Sequence, residues 1–262
     1  MLDFNKIVKK LSKKRGKIIF KSDIFDIIDP DLNKKNNLKV TKTIYRLLAE
    51  KIMLKIRNGV YIIPLEEDLN LNEVDLIEKY FFPLVKKYIS KEVSSYYFIS
   101  GDKALELNLR DFSVREKIYV INRNVNKKVK IGDYEIIFKT ITSNKNGKKI
   151  NLYNKFSKFT KNFEVDNVNL KASSLELSLL ESMTLSDIYE DLDLVKIKKA
   201  LKKYKKVLNK QVLDNIVKYK YIVGLNRLKE ISKTIDDDLY ELFLGLIKEN
   251  GANFVGRSLR RM

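Results

Sequence analysis

Lys39, Lys42 and Arg46 are spaced three and four residues apart, which gathers side chains on one face of a helix. Lys55 and Arg57 follow at alternate positions of a short extended run, just ahead of Asn58-Gly59. Lysine and arginine bind anions. Arginine also offers a planar fork that matches two acceptors at once, as guanine presents them in a DNA major groove. Thr41, Thr43 and Tyr45 flank the basic face and could reach phosphates or thymine methyl groups. Asn36 and Asn37, at the helix start, could bond a phosphate through the helix N-terminus. The candidate DNA-binding residues are therefore Asn37, Lys39, Thr41, Lys42, Thr43, Tyr45, Arg46, Lys55, Arg57 and Asn58.

Other chemistry is scarce. The chain has no histidine and no cysteine. This removes the commonest general base, the commonest metal ligands, any thiolate nucleophile and any disulfide. No glycine-rich loop suited to cradling phosphate is present. Carboxylate pairs such as Glu176 with Glu181 exist, but nothing in the sequence brings them into a cleft. The run Asp236-Asp237-Asp238 reads as a helix cap, since consecutive carboxylates point in different directions. The expectation is a binding protein, with no catalytic residues, no metal and no cofactor.

The elements that would position the basic face are legible as periodicity. Val40, Ile44, Leu47 and Leu48 recur at helical spacing, opposite the basic face. Met53 to Arg57 reads as a strand with Met53, Lys55 and Arg57 on one side. Asn58-Gly59 predicts a type I′ turn, and Val60 to Ile63 returns as the partner strand before Pro64. Upstream, Asp3 to Lys13 is a predicted helix with Phe4, Ile7, Val8 and Leu11 as its apolar stripe. Gly16 stops it, and Lys17 to Phe20 is a short strand. Ser22 is expected to cap a second helix carrying Ile24, Phe25, Ile27 and Ile28, ended by Asp29-Pro30; Asp31 to Asn36 then form a polar loop. The order helix, strand, helix, helix, hairpin is that of a winged helix-turn-helix, with the third helix in the groove and the hairpin on the backbone.

Beyond it, Glu66-Glu67-Asp68 reads as an acidic linker. Asn72 to Lys91 reads as a long helix in which Pro83 implies a kink or a break. Strands are expected over 95–100, 117–122, 128–131 and 134–141, with a helix over 101–108 and a turn-rich loop over 142–149. Further short strands are expected near Tyr153 and Val165. From Ser173 the chain reads as helical, through segments 174–182, 192–209, 212–220, 223–234 and 238–249, to a basic tail. The predicted fold class is α+β: an N-terminal winged helix-turn-helix over 1–65, then a larger mixed α/β domain over 70–262. That domain carries strands over 93–170 and ends in a helical bundle over 173–256.

The 262 residues carry a net charge of +19. Such a balance suits a polyanionic partner. Lys, Asn and Ile are abundant throughout, a bias that AT-rich coding alone produces, so the placement of charge weighs more than its total. The first 65 residues hold 16 basic and 6 acidic residues, about half of the excess. Mean hydropathy is −0.29. No run is long and apolar enough to span a membrane, and the N-terminus lacks a signal peptide's apolar core. A cytoplasmic protein with no membrane partner is expected. The lysines of 192–210 fit either a second phosphate-binding surface or a solvated face.

Three stretches together resemble the AbiE-type (AbiEi-like) antitoxins, the regulatory halves of two-gene toxin–antitoxin systems. Arg57-Asn58-Gly59-Val60-Tyr61 looks like the family's wing. Phe98-Ile99-Ser100-Gly101, followed by Ala104-Leu105-Glu106-Leu107, is similar to its strand leading into a short Ala-Leu helix. Ser174 to Glu181 looks like its Ser-Pro-Glu-Arg-Ala-Leu-Leu-Asp helix start, with Leu175, Leu177 and Ser178 in place of the proline, arginine and alanine. The resemblance implies a winged helix that binds double-stranded DNA at the protein's own promoter, at inverted repeats, and represses its operon as part of an abortive-infection system. It also implies a C-terminal domain that counteracts a nucleotidyltransferase-like toxin without a stable complex being required. Two alternatives stay open: a stand-alone winged-helix transcription regulator with a ligand-sensing C-terminal domain, and an antitoxin that sequesters its toxin.

Overall fold

A computed structural model describes residues 3–28, 37–112, 117–145, 148–184 and 194–251. The expected loop at Asp31 to Asn36, the Asp29-Pro30 stop and the basic tail lie outside the described residues. The fold is α+β. The chain divides into two compact units: residues 1–88 with 131–133, and residues 89–130 with 134–262.

The first unit begins with helix α1 (Phe4–Ser12). Asp3 caps it by accepting from the N–H groups of Asn5 and Lys6. Strand β1 (Ile18–Phe20) leads directly into α2 (Lys21–Ile28). The helix starts one residue before Ser22, and the carboxylate at this turn is Asp23, which accepts from Phe20 N–H at 3.0 Å. Helix α3 (Asn37–Ala49) is followed by β2 (Leu54–Arg57) and β3 (Val60–Ile62). The sheet order is β1-β3-β2, with both pairings antiparallel. Ile7, Leu11, Ile24, Val40, Ile44 and Leu47 close one core with Met53 and Ile63. Burying such side chains stabilises by about 1.5–3 kcal/mol each.

The hairpin differs from the sequence expectation in two ways. Gly59 alone occupies the left-handed region, at φ +77°, and Asn58 does not. A type I′ turn needs both central residues there, so this turn is of another type. The register also slips between Lys55 and Arg57. The bulge breaks the strict alternation that would have put Met53, Lys55 and Arg57 on one side; Met53 is buried, Lys55 exposed and Arg57 half-buried.

Glu66–Asn70 forms a 3₁₀ turn within this unit. Asp68 turns inward and accepts from Lys79 Nζ (2.6 Å), Tyr80 Oη (2.7 Å) and Leu65 N–H (2.7 Å). Burial works against this carboxylate, but the three bonds outweigh it and hold it below the ordinary range. The helix expected over 72–91 is two helices, α4 (Glu73–Lys79) and α5 (Phe81–Val93). The break falls at Tyr80 (φ −106°, ψ 23°). Pro83 therefore sits in the first turn of α5, where its missing N–H has no intrahelical partner to lose. The division between the units falls within α5.

The second unit is built on a six-stranded mixed sheet. In chain order it carries β4 (Tyr97–Ser100), α6 (Gly101–Leu109), β5 (Lys117–Asn122), β6 (Lys127–Ile131) and β7 (Tyr134–Lys139). A separate hairpin, β8 (Thr142–Lys145) with β9 (Lys148–Asn151), replaces the expected loop. The short helix α7 (Tyr153–Phe156) stands where a strand was expected, and β10 (Thr160–Val165) and β11 (Val168–Ser173) complete the sheet. The strand order is β10-β11-β4-β5-β7-β6. Among the described residues, five helices follow: α8 (Leu175–Thr184), α9 (Leu194–Tyr204), α10 (Lys210–Val217), α11 (Ile222–Ser232) and α12 (Asp237–Glu249). Asp236 caps α12 by accepting from Leu239 N–H at 3.2 Å. Among the described residues, no helix is long and apolar enough to cross a membrane.

Candidate nucleic-acid interface

Helix α3 buries Val40, Ile44 and Leu47 and half-buries Leu48, which fixes the helix about its own axis. Lys39, Lys42, Tyr45, Arg46 and Ala49 are exposed. Tyr45 is 69% exposed, so it is surface rather than packing. Lys39 and Lys42 make no ion pair among the described residues. Thr41 and Thr43 are half-buried at the flank. The Thr43 hydroxyl donates to the Lys39 carbonyl one turn back, at 3.0 Å. Asn37 begins the helix, and its side chain lies outside those described.

Arg46 is held on two sides. Its guanidinium lies 3.7 Å from the Phe4 ring centroid, and Nε bonds Glu50 Oε1 at 2.7 Å. The side chain is nonetheless 59% exposed. At such exposure the ion pair contributes about 0.3–0.5 kcal/mol and the ring contact about 0.5–1 kcal/mol. A bidentate guanine contact, at about 1–3 kcal/mol, outweighs either of them. These contacts therefore hold the fork near the helix surface without blocking it.

On the hairpin, Lys55 and Asn58 are exposed. Arg57 is half-buried, with Nη1 buried and without a hydrogen-bond partner among the described residues. The structure thus gathers Lys39, Lys42, Tyr45 and Arg46 on one helix face, and Lys55 with Asn58 on the neighbouring hairpin. Arg57 is only partly on that surface.

Two contributors were missed. Phe4 supports Arg46 from 42 residues away, and no sequence pattern marks that pairing. Lys21 is exposed beside the hairpin tip, where its N–H donates to the Gly59 carbonyl at 2.8 Å. The register of β1 on β3, with Phe20 opposite Val60, was the signal that could have found it.

The second unit holds the other two motif stretches and joins them. Glu181 Oε2 accepts from Gly101 N–H at 2.9 Å and from Ser173 Oγ at 2.7 Å. Its other oxygen has no hydrogen-bond partner among the described residues. Burial pushes this carboxyl up to about 7, against the pull of those bonds and of the Ser100 hydroxyl. Nearby on α6, Glu106 is fully buried between Lys103 Nζ, at 2.5 Å, and Lys196 Nζ of α9. The two carboxylates tie α6, α8, α9 and the end of β11 together. Gly224 lets α11 approach α8: a Cβ there would stand 2.1 Å from Thr184 Oγ1 and 2.6 Å from the Leu180 carbonyl.

No family model matches this chain, and no curated protein matches it. Among solved structures, the fold is similar to the crystal structure of the RV2827C protein from Mycobacterium tuberculosis. The TM-score is 0.61 at 11% identity, over 94% of this chain and 80% of that one. At that identity the likeness is one of fold alone.

Proposed function

We propose that this chain is the antitoxin of a two-gene, AbiE-type toxin–antitoxin system. On this reading residues 1–65 are a winged helix-turn-helix that binds operator DNA, probes it with α3, rests the β2–β3 hairpin on the backbone and represses its own operon. Residues 70–262 counteract a nucleotidyltransferase-like toxin, and the chain is a binding protein rather than an enzyme. One observation carries the DNA half: Lys39, Lys42, Tyr45 and Arg46 share the exposed face of α3, and neither lysine has a carboxylate partner among the described residues. Helices of this size enter a major groove, and unneutralised lysines release counterions from phosphates. The resemblance in Arg57 to Tyr61, Phe98 to Leu107 and Ser174 to Glu181 supports the antitoxin half.

The test is fluorescence anisotropy of the purified chain on duplex DNA from upstream of its own gene, against a scrambled duplex, across a salt series. A preference of about 10³-fold, the lower end for specific readers, is expected. Equal, steeply salt-dependent binding to both duplexes overturns operator recognition. Co-expression with a nucleotidyltransferase-like reading frame from the same operon tests the second half. Restored growth is expected, and unrelieved toxicity would leave a stand-alone regulator.

A further inference from the structure

Several lysines in the helical region of the second unit are answered by a carboxylate. Lys199 meets Asp111, Lys205 meets Asp236, Lys210 meets Glu249 and Lys218 meets Asp214. Around α7, cations lie beside aromatic rings instead. Arg123 lies 4.0 Å from the Tyr96 ring centroid and 5.4 Å from that of Tyr153, with Nη2 donating to Asn154 Oδ1 at 3.1 Å. The next residue, Lys155, lies 5.2 Å from the Tyr219 ring centroid. Lys220 donates only to the Thr142 carbonyl, at 3.3 Å, and its half-buried position lowers its proton affinity. None of these three cations has a carboxylate partner among the described residues. Tyr96 and Tyr219 are 51% and 45% exposed.

The arrangement is built from beneath. Within α7, Tyr153 stacks on Phe98 at 5.8 Å and Phe156 packs on Tyr221 at 5.2 Å. Those two buried rings fix the exposed residues between them, Asn154 against Arg123 and Lys155 against Tyr219. Tyr221 is itself held at φ +77°, a backbone conformation that costs a non-glycine residue energy and that clusters at binding sites.

We propose that Tyr96, Arg123, Asn154, Lys155, Tyr219 and Lys220 form a binding surface for single-stranded nucleic acid. Bases stack on the two tyrosines, and phosphates lie against the three cations. Exposed rings alternating with unneutralised cations are what such strands need, because every base has a face to stack and every linkage a charge. A duplex keeps its base faces inside the helix and cannot use the rings, so this surface is separate from the duplex reader proposed for residues 1–65.

The test is anisotropy of the full chain with a short fluorescein-labelled oligouridylate and with the deoxy oligomer of the same length, at low salt. Binding is expected, with Tyr96→Ala and Tyr219→Ala each weakening it by about tenfold. Tyr96→Phe and Tyr219→Phe should restore it, since the ring rather than the hydroxyl stacks. Lys155→Ala should weaken both oligomers alike and lower the salt slope by about 0.7, the single-strand value for one contact. All these variants should leave duplex DNA binding unchanged, so that failure here is distinct from failure of the duplex reader. Tighter binding of the ribose oligomer would identify RNA as the partner, and equal binding would identify single strands in general. The absence of binding to either oligomer, or alanine variants that bind as tightly as the parent, overturns the proposal.

Discussion

Helices α3 and α9 both carry several lysines, and α9 turns some of its own toward carboxylates of the fold. On α3, Lys39 and Lys42 are exposed and make no ion pair among the described residues. On α9, Lys196 reaches the buried Glu106, Lys199 bonds Asp111 at 2.5 Å, and Lys203 donates to the Leu109 carbonyl at 3.4 Å. By count, α9 is the more basic helix. By pairing, part of its charge is answered within the fold, at Lys196 and Lys199, while Lys198 and Lys202, like Lys39 and Lys42 on α3, are exposed and make no ion pair among the described residues. Charge that a protein leaves unanswered is therefore a better guide to a polyanion site than charge density.

The contrast is most exposed to failure at Glu106. If the α9 lysines are structural, Glu106→Gln removes the buried carboxylate between Lys103 and Lys196 and should cost about 3–5 kcal/mol in denaturant unfolding. A loss below about 1 kcal/mol would place that charge in water and remove the contrast. Glu181 supplies the next largest effect, as a buried carboxyl with no cation against it. Its proton affinity in the folded chain is pushed up to about 7, above the ordinary glutamate value of 4.5. The folded state therefore holds the proton more tightly than the unfolded chain. Its contribution is full below about pH 4.5 and is lost as pH rises through about 7, amounting to about 3 kcal/mol. Unfolding of the Glu181→Gln variant should lack this component, and an identical pH profile in parent and variant would refute the assignment.

On DNA the expected effects are smaller. Arg46→Ala should weaken operator binding by about 1–3 kcal/mol and relax sequence preference, while Lys199→Ala should change neither. Equal losses from both would mean that α9 touches DNA after all. Lys55→Ala should weaken all duplexes alike and lower the salt slope by about 1. The smallest effect belongs to Glu50→Ala, which releases Arg46 from an exposed ion pair and should change stability by less than about 0.5 kcal/mol. A larger change would mean that Arg46 is a structural residue.

The apolar face of α3, the order of the first six elements and the cap at Asp236 were legible because each rests on residues close in sequence. The failures have local physical causes. The β8–β9 hairpin has few apolar residues, so no alternation announces it. The break at Tyr80 lies three residues before the proline that seemed to mark it, because proline is compatible with the first turn of the following helix. The turn at Asn58-Gly59 was assigned from its dipeptide, but only Gly59 takes a positive φ and the register slips between Lys55 and Arg57. Parts of the candidate sites were out of reach for another reason. Arg46 with Phe4, and Lys155 with Tyr219, are brought together only by tertiary packing.

The strand order has a consequence for behaviour at high concentration. A sheet that ends in open strands offers its unpaired backbone to any neighbouring molecule. The six-stranded sheet ends in β6 and β10. On β6, Lys127, Lys128 and Lys130 are exposed; on β10, Lys161 is exposed. In the smaller sheet, the outer strand β2 carries the bulge and Lys55. Joining two such margins would press like charges together or mismatch the ladder. Lysines along these margins thus help to keep the chain from polymerising.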